Sequence, residues 1–360
     1  MMTNIIIFFI TFSLSIFATF FVKKLAIFLR IVDKADKGRK IHKGEIPLLG
    51  GLGIFATFFI AAFIFKDKLL VGDLNLVHWL GVFFGALVLM IGGYLDDRHN
   101  LKARKQILFP LLAIAIVVLA GVEIEKITNP FGGYFYFNTW DIPLFSMMGV
   151  DFSFTVLSDI FISVWLLGMM YTTKLLDGMD GLVTGITAIG AFIIFVFTLS
   201  SKYYQPDIAV ASLILFAACL GFLIFNWHPA KIFLGEGGSL ILGFLLGILA
   251  IISGGKIAIA LLVMGVPIMD VVWTIIRRFF SGKNPFAFAD RKHLHFRLYD
   301  LGIGQRKTVL IFYILSIVFG MSAVFLQSLG KFYALAILVF LMLLIVFSFS
   351  LVEKKSNEKR

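Results

Sequence analysis

The chain has 360 residues, 60% of them hydrophobic and 15% charged, with 42 phenylalanines and a mean hydropathy of +1.00. A soluble protein needs more polar surface than this, so a globular cytosolic fold is excluded and a helical membrane protein is the default. The net charge of +11 points to basic loops beside anionic lipid rather than to nucleic acid, and the single cysteine, Cys219 in an apolar run, excludes an intramolecular disulfide.

Ile5–Val22 is the first apolar run. No basic residue precedes it and Lys23-Lys24 follow, the pattern of an uncleaved span with its N-terminus outside. Further runs cover Leu48–Phe65, Leu76–Leu95, Ile107–Val122, Phe154–Met170, Leu182–Ser200, Ile208–Phe225, Ser239–Ile252, Ile257–Ile276, Val309–Leu326 and Phe332–Leu351. Together they predict an all-α integral membrane protein with about eleven transmembrane helices and a cytoplasmic C-terminus. Residues 1–352 form a single polytopic domain and 353–360 a charged cytoplasmic tail. Sorting the basic residues tests this topology. Of the 32 Lys and Arg, 26 fall in the inner segments and six, Lys66, Lys68, Lys126, Lys202, Lys256 and Lys331, in the outer ones, as the positive-inside rule requires.

The longest outer loop, Glu123–Asp151, carries the aromatic stretch Tyr134–Phe145 around Asn138-Thr139. It reads as a short β-hairpin at the membrane interface, with an irregular aromatic loop as the alternative. Pro267 inside the ninth run predicts a kink, and Asp270 three residues later should face protein or water. Asp159 lies nearer an outer helix end and reads as structural.

With this orientation five of the six histidines, His42, His99, His228, His293 and His295, share the inner face with several acidic loops. The central loop is Asp177-Gly-Met-Asp180-Gly181, preceded by Lys174. Carboxylates three apart lie on one face of a helical turn, where they suit a hard cation such as Mg²⁺, and Gly178 and Gly181 leave room for a phosphate or metal to approach. Asp96-Asp97 end the third run, Lys40 and His42 lie in the first inner loop, and Lys231 precedes Glu236-Gly237-Gly238-Ser239 at a helix start suited to an anion. His293, His295 and Arg297 occupy the fifth inner loop. Each stretch also has a plain explanation: a solvated turn, a helix cap, or a positive-inside loop. Their coincidence on one face describes phosphoryl transfer, in which positioning and charge neutralisation dominate.

The segments RKIHKGEIPLLGG, DDRHNL, DGMDGL, NWHPAKIFLGEGGSLILG, PIMDVVWTIIRR and DRKHLHFRL, in this order from Asp33 to about Gly302, resemble the polyprenyl-phosphate N-acetylhexosamine-1-phosphate transferases. Arg277-Arg278 after PIMD, and two histidines rather than three, look more like the branch that begins O-antigen, enterobacterial common antigen or teichoic-acid linkage synthesis than like the phospho-N-acetylmuramoyl-pentapeptide transferases. The resemblance implies transfer of a sugar-1-phosphate from a UDP-N-acetylhexosamine to undecaprenyl phosphate with release of UMP, at the cytoplasmic face of the plasma (inner) membrane, with Mg²⁺ or in its place Mn²⁺. By the same resemblance the catalytic positions are Asp96, Asp97, Asp177, Asp180 and His293. Lys40, His42, Lys174, Lys231, His295 and Arg297 would contact substrate, and Asp177, Asp180 and Glu236 the metal. Membrane lipids are the surrounding partner, nucleic acid is not one, and a homodimer stays open.

Three positions depart from the family pattern. Lys174 replaces an Asn, Glu236 an Asp that ligates metal, and Phe296 a third histidine. These departures motivate a second reading, a non-catalytic homologue that binds lipid-linked intermediates. They also predict that Lys174 and Glu236 meet as a compensating pair. A transporter is a weaker reading, because the polar residues lie in loops rather than at the bilayer midplane.

Overall fold

The computed structural model describes residues 2–34, 44–72, 74–147, 150–200, 203–253, 257–280, 282 and 293–357. In chain order the elements are α1 (Met2–Phe28), β1 (Val32–Lys34), β2 (Glu45–Pro47), α2 (Gly50–Ile64), α3 (Lys66–Leu69), α4 (Leu76–His99), α5 (Ala103–Gln106) and α6 (Leu108–Leu119). Then come β3 (Lys126–Thr128), β4 (Tyr134–Tyr136), β5 (Asp141–Met147), β6 (Val150–Thr155), α7 (Val156–Leu176), α8 (Leu182–Thr198), α9 (Pro206–Asn226) and α10 (Gly235–Ile252). The last are α11 (Ile257–Val263), α12 (Gly265–Phe280), α13 (Leu294–Leu298), a π-helical turn (Tyr299–Ile303), α14 (Gln305–Phe325) and α15 (Ser328–Asn357).

Ten of the eleven predicted apolar runs fall on a single helix each, and Ile257–Ile276 covers the pair α11–α12. Among the described residues, seven helices are long and apolar enough to cross a bilayer singly, an eighth as the bent pair α11–α12, and α2 and α8 are shorter apolar helices. The protein is a multi-pass helical membrane protein. The last helix runs unbroken through Asn357, so the charged tail begins as a continuation of α15.

The bundle is layered around α10. This helix packs on α2, α4, α7 and α8 and is almost wholly buried, whereas α1, α14 and α15 keep most of their apolar surface on the outside, where lipid is the solvent. Lipid tails are as apolar as leucine, so helices associate through close packing and interhelical hydrogen bonds. Glycine supplies the close packing. A Cβ added at Gly93 of α4 would stand 2.1 Å from the Gly237 nitrogen of α10, and one at Gly51 of α2 would stand 2.1 Å from the Gly238 Cα. Hydroxyls supply the hydrogen bonds: Ser15 of α1 donates to the Ala218 carbonyl of α9 at 2.6 Å.

The kink expected at Pro267 is there, with α11 and α12 meeting at 77°. It falls one turn before the proline because Pro267 has no N–H to give the Val263 carbonyl. Ser316 of α14 donates to that carbonyl instead, at 2.9 Å. Pro267 itself sits in the first turn of α12, where an N–H is not needed.

The outer loop differs from the expected hairpin. Tyr134–Tyr136 pairs with Lys126–Thr128 and Asp141–Met147 with Val150–Thr155, so the two aromatic halves do not pair across Asn138-Thr139. The β3–β4 turn uses Gly132 and Gly133, both at positive φ, with the Asn129 N–H donating to the Gly133 carbonyl. Glycine reaches that backbone region at no steric cost, whereas a β-branched Thr139 resists it.

Candidate active site

The polar end of the bundle is assembled from the C-terminal ends of α4 and α7, the turn after α7, and the N-terminus of α10. The β1–β2 ladder docks there as well. Its last residue, Pro47, accepts from the Phe233 N–H, and the Gly50 and Gly51 N–H groups donate to Phe233 and Leu234 just before α10. Lys40 and His42 belong to the segment between these strands and lie outside the described residues.

Asp97 receives the Glu236 N–H at 3.1 Å, so the anion at the start of α10 is the protein's own carboxylate. This corrects the reading of Gly237-Gly238-Ser239 as an anion cradle. The glycines instead let α4 and α2 approach α10, and the Ser239 hydroxyl turns back to the Glu236 carbonyl at 3.0 Å. Gly235, at φ 75°, leaves the space that Asp97 enters, since a Cβ there would lie 2.6 Å from its Oδ2. Asp96 is buried and caps the turn after α4, accepting from the Leu101 N–H at 2.8 Å and from Gln106 Nε2 at 3.1 Å.

The DGMDG loop is a tight turn rather than a helical one. Asp177 is already non-helical at ψ 55°, and the Gly178 N–H donates to the Leu176 carbonyl only two residues back. The two aspartates therefore face different neighbours. Asp180 Oδ2 accepts from His228 Nδ1 at 2.7 Å and from the Ala230 N–H at 3.1 Å. Asn226, buried at the end of α9, accepts from the Gly181 N–H and the Thr184 hydroxyl and donates to the Ile232 carbonyl. From α14, the Tyr313 hydroxyl donates to the Gly181 carbonyl, and Arg306 donates twice to the His228 carbonyl at 3.0 and 3.2 Å. Gly178 makes room for a histidine rather than for a phosphate: a Cβ there would stand 2.7 Å from His295 Nε2.

Asp177 is solvent-facing at its surface and crowded by protein behind. Its pKa is held well above the ordinary carboxylate value, first by burial and then by the charges of Glu236, Asp97 and Asp180. Each of these influences disfavours its charge. Across the cluster, Lys174 at the end of α7 places Nζ 2.8 Å from Glu236 Oε2, 3.9 Å from Asp96 Oδ2 and 3.1 Å from Gln106 Oε1. The contact expected between Lys174 and Glu236 is present.

Asp270, expected to face protein or water, accepts from His293 Nδ1 at 2.9 Å and from the Leu294 N–H at 2.9 Å. It thereby orients one histidine and caps α13. His295 is fully buried, stacked 5.7 Å from His293, and neither of its ring nitrogens has a hydrogen-bond partner among the described residues. Burial lowers its pKa to about 4, so the ring is neutral at physiological pH. Arg297 lies one turn along α13 from His293, whose carbonyl accepts its N–H, and Lys231 points to solvent.

Sequence reasoning left out His228, Asn226, Asp270, Arg306 and Tyr313 as site residues. His228 and Asn226 were visible in the NWHPAK segment and Asp270 in PIMD. Arg306 and Tyr313 carried no local signal, because their partners lie 78 and 132 residues away.

A model of glycosyl transferase family 4 matches residues 79–254. The chain is 33% identical over 313 residues, covering 85% of this chain and 80% of the relative, to a probable undecaprenyl-phosphate N-acetylglucosaminyl 1-phosphate transferase of Bacillus subtilis. It is 28% identical to the undecaprenyl-phosphate alpha-N-acetylglucosaminyl 1-phosphate transferase of Thermotoga maritima, over 97% of this chain and 96% of that one. It is also 29% identical to a phospho-N-acetylmuramoyl-pentapeptide-transferase of Halalkalibacterium halodurans, over 91% and 97% respectively. By this family match and by 33% identity over most of both chains, the chain belongs to glycosyl transferase family 4, as a membrane-embedded phosphotransferase.

Proposed function

We propose that the protein transfers N-acetylhexosamine-1-phosphate from a UDP-linked sugar to undecaprenyl phosphate or another polyprenyl phosphate, releasing UMP, as the first membrane step of a cell-envelope polysaccharide. The observation that carries this reading is the carboxylate-rich polar end of an apolar bundle, where Asp97 accepts the Glu236 N–H at the start of α10, Lys174 pairs with Glu236, and Asp177 is exposed in the turn after α7. A cluster of hard oxygen donors of this kind fits a hard cation. Among the described residues no three His, Cys, Asp or Glu side chains form a metal shell by themselves. Mg²⁺, or Mn²⁺, would take its remaining oxygens from water and substrate phosphates. Asp177 is the residue that would hold it, with Asp180 shaping the turn and Glu236 across from it as a flanking charge, and its chemistry there would be to neutralise charge on the diphosphate.

The chain's own groups account for the rest. A phosphate monoester is largely ionised near neutral pH, so Asp96 and Asp97 orient the acceptor rather than remove a proton from it. His293, with Nδ1 engaged by Asp270, keeps Nε2 for a phosphate oxygen. Neutral His295 offers one donor and one acceptor. Lys40, Lys231 and Arg297 supply positive charge to substrate phosphates, and His42 a ring N–H. The membrane is the plasma membrane, crossed about eleven times with the N-terminus outside, and the site faces the cytoplasm. The asymmetry of the basic residues supports this orientation. A cysteine at Lys231 should then label only from inside and one at Lys126 only from outside.

The direct test mixes purified protein with undecaprenyl phosphate and a panel of radiolabelled UDP-sugars, with and without Mg²⁺. Label entering the lipid fraction together with UMP, from a UDP-N-acetylhexosamine and only with the metal, is the expected result. Labelling from UDP-N-acetylmuramoyl-pentapeptide alone would replace this reading with the pentapeptide-transferase one. Lipid binding with no transfer from any donor would favour the non-catalytic homologue.

A further inference from the structure

Lys174 places an ammonium inside the acidic cluster rather than at its rim. Its side chain is only 9% exposed, and it closes a small pocket with Asp96, Gln106, Phe109, Tyr171 and Glu236. Three oxygens from three different elements surround Nζ: Glu236 at 2.8 Å from α10, Gln106 at 3.1 Å from α5, and Asp96 at 3.9 Å from α4. Gln106 is itself held, donating to Asp96 Oδ1 at 3.1 Å and to the Leu101 carbonyl at 2.9 Å, so the ammonium is positioned by a fixed acceptor. The Glu236 contact lies within ion-pair distance but off the line of a directed hydrogen bond, which makes it a charge contact above all. An ammonium seeks the same hard oxygens as a divalent metal and repels one placed beside it.

We propose that Lys174 is the resident counter-cation of the Asp96–Glu236 half of the cluster, and that it confines the divalent ion to the Asp177 half. The proposal rests on the phosphotransfer reading for the presence of a second cation. It narrows that reading: Glu236 faces the ion's side of the cluster while its charge is balanced by Lys174. Lys174 thereby acts as a positioning residue, and it limits the cluster to a single metal ion.

The experiment titrates the full-length, detergent-purified protein with Mn²⁺ and follows free ion by electron paramagnetic resonance, with no substrate present. The wild type should bind one Mn²⁺ that Asp177→Asn abolishes. Lys174→Gln should bind Mn²⁺ about tenfold more tightly or take up a second ion, as expected for coupling between residues in contact, and Lys174→Arg should behave as wild type. The gain should vanish in the Lys174→Gln/Glu236→Gln double variant. Glu236→Gln alone should weaken binding by less than about threefold, which keeps the proposal testable if Lys174→Gln does not fold. Unchanged or weaker binding by folded Lys174→Gln, a gain that survives the double variant, or a Glu236→Gln loss as large as that of Asp177→Asn would each overturn it. If the wild type binds no Mn²⁺ but Lys174→Gln binds through Glu236, the counter-cation assignment stands, and the transfer reading is decided by the transfer assay, in which substrate phosphates complete the metal's oxygens. Binding by wild type that Lys174→Gln leaves unaltered overturns the counter-cation assignment and leaves the transfer reading standing, and binding by neither overturns the assignment.

Discussion

Asp177 and Asp180 belong to one five-residue turn, yet their surroundings are opposite. The Asp180 side is pinned from three directions: His228 and Ala230 bind its carboxylate, Asn226 and Tyr313 fix Gly181, and Arg306 fixes the His228 carbonyl. On the other side the charges of Glu236, Asp97 and Asp180 all act against that of Asp177. A buried acid with satisfied hydrogen bonds holds structure, whereas an acid crowded by like charges costs stability and persists where a ligand offsets the cost. One end of the motif builds the turn, and the other end presents a charge to a ligand.

The largest break in this comparison should come from Asp180→Ala. It strands His228 Nδ1 and the Ala230 N–H, so unfolding free energy should drop by about 1–3 kcal/mol, and turnover should fall by about two orders of magnitude because the loop loses its shape. Thermal melting in detergent, run beside the transfer assay, reads both effects.

The pH dependence of stability sharpens the contrast. The pKa of Asp177 is raised above its unfolded value, so between the two the folded protein holds a proton that the unfolded chain has released. Metal-free stability should therefore fall as pH rises through that window, and Asp177→Asn should flatten the fall. His295 runs the other way. Its pKa is lowered from 6.5 to about 4, so stability should fall as pH drops through that interval, and His295→Gln should remove that slope. Melting curves from pH 4 to 9 on the three proteins separate the two signs.

The smallest effects belong to the remote clamps on the pinned side. Tyr313→Phe and Arg306→Ala should each cost about 0.5–1.5 kcal/mol of stability and reduce turnover by less than about tenfold, with little change in divalent-cation affinity. A drop in cation affinity comparable to that of Asp177→Asn would mean that the two sides of the turn are not separate.

The apolar skeleton was legible because membrane spans announce themselves by length and composition: seven helices, and an eighth as the bent pair α11–α12, are long and apolar enough to cross a bilayer among the described residues. The Lys174–Glu236 contact was legible because Lys174 adds a positive charge in one motif and Glu236 a longer carboxylate arm in another. The outer strands were mispaired because alternation locates a strand without choosing its partner, and the deciding glycines, Gly132 and Gly133, lay outside the aromatic stretch. The roles of Gly237 and Gly238 were misassigned for a related reason. Whether a glycine admits a ligand or a neighbouring helix depends on what crosses it, and Gly93 and Gly51 come from distant turns. The contrast between Asp177 and Asp180 was invisible in sequence, since His228 is 48 residues from the aspartate it holds.

Asp177→Asn tests the central contrast most directly when melting temperature without metal and Mg²⁺-dependent transfer are measured on the same preparation. The expected result is a melting temperature equal to or above wild type, because a crowded charge has been removed, with turnover reduced by about a hundredfold or more because a neutral amide is a poor ligand for a hard cation. A variant that melts below wild type yet transfers sugar phosphate within a few-fold of it would contradict the assignment of Asp177 as the charge presented to the ligand.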